Sequence, residues 1–337
     1  MCERMKAARY HGVRCAWWLA FAAVVVCGVG GYASTSLASP ERRLPKVAGE
    51  FYPNGQAELL DLVTEFVKRQ PEPVLAVAKP RLLIVPHAGY QYSGLVAGNG
   101  FRQLQGQHYD SVVVVGFTHR MGFEGSSVDT VDAYETPLGT IPVDREAVAI
   151  LQTVPGITHN EAAHASGEHS LEVELPFLQV ALDRFRLVPI LMGSVRLQDA
   201  QQLAAALARL DRLGNYLFVF STDLSHYHPY DQAEMIDDRT IQALLHETPQ
   251  AVSQLFERGQ IEACGQGPIV TSLLLSQRLG YLARILLYRA NSGDTWATPH
   301  ASSATPRSGC STHRAKRVIG NSLRRLVVPW CLLHVER

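Results

Sequence analysis

Four words in this chain hold the side chains best suited to chemistry. Pro86-His87-Ala88-Gly89-Tyr90 follows an apolar run at 82–85, Gly116-Phe117-Thr118-His119-Arg120 follows one at 111–115, and Ser221-Thr222-Asp223-Leu224-Ser225-His226-Tyr227 follows one at 217–220. The fourth, Glu262-Ala263-Cys264-Gly265-Gln266-Gly267-Pro268, offers a thiol on a glycine-flanked turn that a ligand can approach closely. Imidazole and thiolate suit Zn, Cu and Fe, whereas Mg or Ca requires several carboxylates. The chemistry indicated is transition-metal binding, by two imidazoles and one thiolate. Asp223 and His226, three apart, are candidates to orient ligands or to act as a general base beside the metal. A lone histidine behind a strand is most often a hydrogen-bonded structural residue, and a lone core cysteine is usually a small hydrophobe. Histidines in three equivalent strand-end places give the functional reading its weight.

The elements that position these words follow from periodicity. Runs at 82–85 and 111–115 are apolar, rich in β-branched residues and closed by Pro or Gly, as buried parallel strands are; 187–192, 217–220 and 283–288 repeat the pattern. Helical stretches at 56–69, 144–153, 171–182, 200–210, 233–245 and 269–279 lie between them. Alternation of this kind predicts one α/β domain, a mostly parallel sheet covered on both faces, with ligands outside the carboxyl ends of its strands. His169-Ser170-Leu171-Glu172-Val173-Glu174-Leu175-Pro176 reads as a helix start with Ser170 as its cap, and capping is a sufficient role for both glutamates. Sequence alone does not locate His169. His159, His164, His228 and His246 lack a strand-end context and are read as surface residues.

The chain has 337 residues, 47% apolar and 18% charged, which suits one large folded domain rather than disorder. Its formal charge is zero, which argues against a nucleic-acid-binding surface, but the charge is partitioned. Residues 1–43 carry six Lys/Arg against two Asp/Glu, residues 44–294 carry 18 against 28, and residues 295–337 carry seven against one. The basic start, the uncharged run at 15–32 and Ser36-Leu37-Ala38 read as a signal peptide or membrane anchor over 1–38. That predicts the inner membrane or periplasm, or the cytoplasm if the start codon is misassigned. Of six cysteines, only Cys264 falls within the domain expected at 39–294, so no disulfide is expected inside it. Residues 295–337 form an atypical basic tail.

With these words in place, the sequence resembles the Memo family, called AmmeMemoRadiSam system protein B in prokaryotes. The shared words are Ala48-Gly49-Glu50-Phe51-Tyr52-Pro53, Pro86 to Tyr90, Gly116 to His119, Tyr134-Glu135-Thr136-Pro137-Leu138-Gly139, His169 to Pro176, Ser221 to Tyr227, and Cys264-Gly265. The resemblance implies a fold related to class III extradiol dioxygenases, with His87, His119 and Cys264 matching the metal ligands and Asp223 and His226 matching further pocket residues. It also implies iron or copper as cofactor, with zinc as the alternative, and radical-SAM and AMMECR-type proteins as partners. The functions it opens are a redox-active, dioxygenase-like oxidoreductase, a non-enzymatic metal-binding adaptor, and a zinc hydrolase. Two features depart from the family pattern. One is the leader; the other is the stretch after Asp294, where a final Val-Gly-Tyr-containing strand is expected and a basic tail stands instead, as a frameshift would produce.

Overall fold

The computed structural model describes residues 41–68, 79–281, 283–295 and 330–335. Its strands are β1 (Arg42–Arg43), β2 (Leu82–Val85), β3 (Ser111–Phe117), β4 (Ser126–Val128), β5 (Ala133–Thr136), β6 (Gly139–Pro142), β7 (Ile157–Thr158), β8 (Arg186–Met192), β9 (Tyr216–Ser221), β10 (Ala283–Arg289) and β11 (Trp330–Val335). Eight form one sheet in the order β10-β11-β2-β9-β3-β8-β4-β7, and β1-β5-β6 form a small second sheet. The four central strands, β2, β9, β3 and β8, run parallel. Every residue of β2 and β9, and all but the last of β3, is buried, so both faces of the sheet centre are covered. The chain is thus an α/β domain with a mostly parallel sheet flanked by helices.

Helices Gln56–Lys68, Tyr90–Arg102 and Leu175–Ala181 pack on one another, and Leu197–Asp211 packs on Gln266–Leu279. Tyr90–Arg102 is hidden in the sequence by Gly94, Gly98 and Gly100, which lower helix propensity. The first two are needed for close approach. A Cβ on Gly98 would stand 2.6 Å from the carbonyl oxygen of Phe66, and one on Gly94 would stand 2.3 Å from the Phe66 ring.

The tail reading needs correction. Residues 330–335 form β11, which lies between β10 and β2 and is antiparallel to both, so the closing strand expected to be missing is supplied from within 295–337. It begins within the apolar run that the sequence shows near 326–333. The leader at 1–38 lies outside the described residues. Among the described residues no helix is long and apolar enough to cross a membrane.

Arg43 ties β1 to the main body. Its guanidinium bonds both oxygens of buried Asp129 at 2.9 and 3.0 Å, and both oxygens of Glu161 at 2.8 Å. His164 corrects the surface reading: it is buried beside this cluster, with Nε2 3.1 Å from Ser127 Oγ, and burial lowers its pKa to about 4. Burial alone would raise Asp129, but the Arg43 bonds outweigh it and hold the carboxyl below its usual range; the Arg43 bonds also lower Glu161.

Two outcomes follow. Leu332→Pro deletes a main-chain donor of β11 and should lower stability by about 1–3 kcal/mol in urea unfolding; unchanged unfolding would remove β11 from the sheet. Arg43→Met leaves Asp129 a buried unpaired carboxylate and should cost about 3–5 kcal/mol at pH 7. Because the folded-state carboxyl pKa values are depressed, the Arg43 contribution is fully present above the unfolded value of about 4 and is lost as pH falls through the lowered folded values. The wild-type-to-variant difference should therefore shrink on acidification. A constant difference from neutral to acid pH would contradict this account.

Candidate metal centre

β9 lies between β2 and β3, so the loops leaving their carboxyl ends emerge as neighbours. Val85 pairs with Ser221 and Val115 with Phe220, which brings His87, Asp223 and His119 to one edge of the sheet. Cys264 comes from the turn before helix Gln266–Leu279, and that turn is stitched to the β9 loop. The Cys264 N–H donates to Asp223 O at 3.2 Å, the Asp223 N–H donates to Cys264 Sγ at 3.2 Å, and the Gly265 N–H donates to Thr222 Oγ1 at 2.9 Å. Gly265 is required for space. A Cβ there would stand 2.6 Å from Thr222 Cβ and 2.9 Å from the Ser221 carbonyl oxygen.

His87 is buried, with Nε2 3.1 Å from Cys264 Sγ and Nδ1 2.7 Å from Ser221 Oγ. His119 meets it edge-on with ring centroids 5.1 Å apart, and its Nδ1 lies 2.9 Å from Glu168 Oε1. The donor atoms of His87, His119 and Cys264 all lie within 4.8 Å of one another, and so do those of Asp223, His226 and Cys264. The five residues singled out from sequence are therefore gathered at one place. His169 joins them: its ring stacks on His119 at 4.6 Å and stands edge-on to His87 at 5.2 Å, with Phe51 at 4.5 Å.

The capping role expected for the His169 to Pro176 word is corrected. Ser170 Oγ donates to Phe117 O at 2.8 Å, and Glu172 accepts from the Lys46 and Val47 N–H groups and from the Tyr52 hydroxyl. Glu174 is fully buried and accepts from Ser221 Oγ at 2.7 Å. Sequence reasoning does not find Glu168, Ser221 and Glu174. The available signal is a hydroxyl at the end of the buried run of β9 and a carboxyl directly before His169.

Burial sets the electrostatics. It drives His87 well below the usual histidine value, aided by His169 and His119, and lowers His169 to about 4 and His226 in the same direction. It raises Asp223 to about 7. Burial also opposes ionisation of Glu168, but the bonds from His119 prevail and hold it at about 2. The Cys264 thiol is pushed up by desolvation and by the Asp223 charge. A bound cation reverses that last effect, because it competes the proton off sulfur and takes lone pairs from neutral imidazoles. The donor set fits a borderline-soft divalent metal. A groove of about 760 Å³ lined by Asp110, Phe185 and Arg186 lies at the opposite, amino ends of β3 and β8 and contains none of these groups.

Gly265→Ala should drive the Cys264 turn away from Thr222, costing about 1–3 kcal/mol by the usual overpacking penalty. Urea unfolding measures this, and wild-type stability in the variant would mean that the turn has room to relax.

A family model described as Memo-like protein matches residues 43–305. A MEMO1 family protein of Ignicoccus hospitalis is 34% identical over 266 residues, covering 75% of this chain and 93% of its own length. One from Aquifex aeolicus is 34% identical over 254 residues, with the same two coverages, 75% and 93%. The crystal structure of an uncharacterized protein from Escherichia coli K12 aligns with a TM-score of 0.45 at 17% identity, over 63% of this chain and 94% of that one. With a match that takes in β2 through β10, the gathered histidines and Cys264, the chain belongs to the Memo-like protein family.

Proposed function

We propose that this protein binds one transition-metal ion through His87, His119 and Cys264 and uses iron or copper in oxidoreductase chemistry. The supporting observation is the convergence of two imidazoles and a thiol, donor atoms all within 4.8 Å, at the carboxyl ends of parallel strands. Such an ion would supply redox capacity and Lewis acidity at that edge.

The side chains around it have separable tasks. Glu168 holds the His119 ring through Nδ1, which leaves Nε2 as the ligand atom. Asp223 fixes the His87 loop by accepting from the His87 N–H at 3.1 Å through Oδ1, which leaves Oδ2 to hold or release a proton. With its pKa near 7, that carboxyl is divided between both forms at neutral pH. His226, kept neutral by burial, is a second acceptor at the same edge. His169 and Phe51 line one side of the site.

A carboxyl poised near neutrality also suits activation of water, and two imidazoles with a thiolate hold zinc as well, which supports a zinc hydrolase as the second reading.

Protein purified without oxygen and assayed for metal content and O₂ consumption tests the proposal. Iron or copper with O₂ uptake is the expected result, zinc without it favours the hydrolase, and bound metal without turnover favours a carrier working with radical-SAM and AMMECR-type partners. His87→Ala, His119→Ala and Cys264→Ala should each abolish binding, while Asp223→Asn should weaken it about 10- to 100-fold. Wild-type stoichiometry and affinity in folded Cys264→Ala would remove the thiolate from the site.

A further inference from the structure

Behind His87 lies a chain of side chains that neither the family match nor the ligand set assigns. Ser221 Oγ stands 2.7 Å from His87 Nδ1 and donates to Glu174 Oε1 at 2.7 Å. The three residues come from three places: the loop after β2, the last position of β9, and the one-turn helix Glu172–Glu174. All three are buried, Glu174 with no exposed surface, and Glu174 Oε2 has no hydrogen-bond partner among the described residues. A carboxyl stranded in this way costs stability. Packing alone does not account for it.

We propose that Ser221 and Glu174 are positioning residues that fix the tautomer of His87 and so turn its Nε2 lone pair toward the metal site. A hydroxyl has one proton. Committed to Glu174 Oε1, it can only accept from His87, so Nδ1 carries the imidazole hydrogen and Nε2 is bare. Nε2 is the nitrogen 3.1 Å from Cys264 Sγ. The opposite tautomer gains little from Asp223, whose Oδ2 stands 3.8 Å from Nε2, beyond hydrogen-bond range. Glu174 serves as a carboxylate or with its proton on Oε2, since Oε1 then accepts from Ser221; a proton on Oε1 would instead donate to Ser221 and turn its hydroxyl toward Nδ1. His119 is arranged alike, with its Nδ1 tied directly to Glu168. Both imidazoles thus have a carboxyl behind Nδ1, one of them reached through a hydroxyl.

This inference rests on the metal-site reading, but its first readout does not. In the full-length, metal-free protein labelled with ¹⁵N-histidine, two-bond ¹H–¹⁵N spectra report the His87 tautomer, assigned by comparison with His87→Gln. The Nδ1–H form should dominate in the wild type and in Glu174→Gln, which keeps an acceptor oxygen. In Glu174→Leu the freed hydroxyl can turn and donate to Nδ1, so the Nε2–H form should rise; in Ser221→Ala the Nδ1–H preference should weaken. Calorimetric titration of the metal-free proteins with Zn²⁺ should then show affinity lower by about 10- to 100-fold in Ser221→Ala and Glu174→Leu and near wild type in Glu174→Gln. Ser221→Ala decides the matter if Glu174→Leu does not fold. A dominant Nε2–H form in the wild type, or an unchanged tautomer in folded Ser221→Ala, would overturn the proposal. Absence of any Zn²⁺ binding by the wild type would instead overturn the metal-site reading and leave the tautomer result standing.

Discussion

Everything at the candidate centre depends on β9 lying between β2 and β3 in one parallel register. Parallel neighbours deliver the loops after them to the same edge, and the pairing of Val85 with Ser221 and Val115 with Phe220 sets how far apart those loops begin. Full burial of these strands makes the register hard to change, because a one-residue slip would exchange residues between two packed faces. Imidazoles far apart in sequence thereby become neighbours without any local motif joining them. The Cys264 turn is then fastened to the β9 loop by a main-chain bond from Cys264 to Asp223 and by the Asp223 N–H donating back to the sulfur, so the thiol inherits the position of the sheet.

Among the described residues, histidine gathers with carboxylate around Asp129 and at the strand ends, and the two gatherings work oppositely. Asp129, His159 and Glu161 also come close enough to hold an ion, yet Arg43 already supplies their positive charge and bonds both carboxylates. At the strand ends burial instead holds His87, His169 and His226 below the usual histidine range and the Cys264 thiol above its own. Similar residue types therefore make a structural clamp in one place and a cation-seeking pocket in the other. Charge balance, more than composition, separates them.

Much of this is legible in the amino-acid sequence. The strands at 82–85, 111–115, 187–192 and 217–220 announce themselves because residues buried on both faces must be apolar throughout, and the strand-end histidines follow from them. The helix Tyr90–Arg102 was not legible, because its glycines serve a neighbouring helix rather than their own. Glu174 read as a cap since acids at helix starts usually are caps, and only the tertiary fold reveals that this start faces Ser221. The short strands β4 and β7 carry too few residues for a period to show.

The place of β11 has a consequence in time. Leu83 pairs with Leu333, 250 positions further along, so one side of β2 lacks this partner until residues 330–335 have been made. A nascent chain can pair β2, β9, β3 and β8 well before that, and it then waits with an open sheet edge and β10 not yet anchored. Long-range closure of this kind is slow and exposes strand edges to other chains. Ribosome stalling or truncation just before residue 330 would therefore release a nearly finished domain in its most adhesive form.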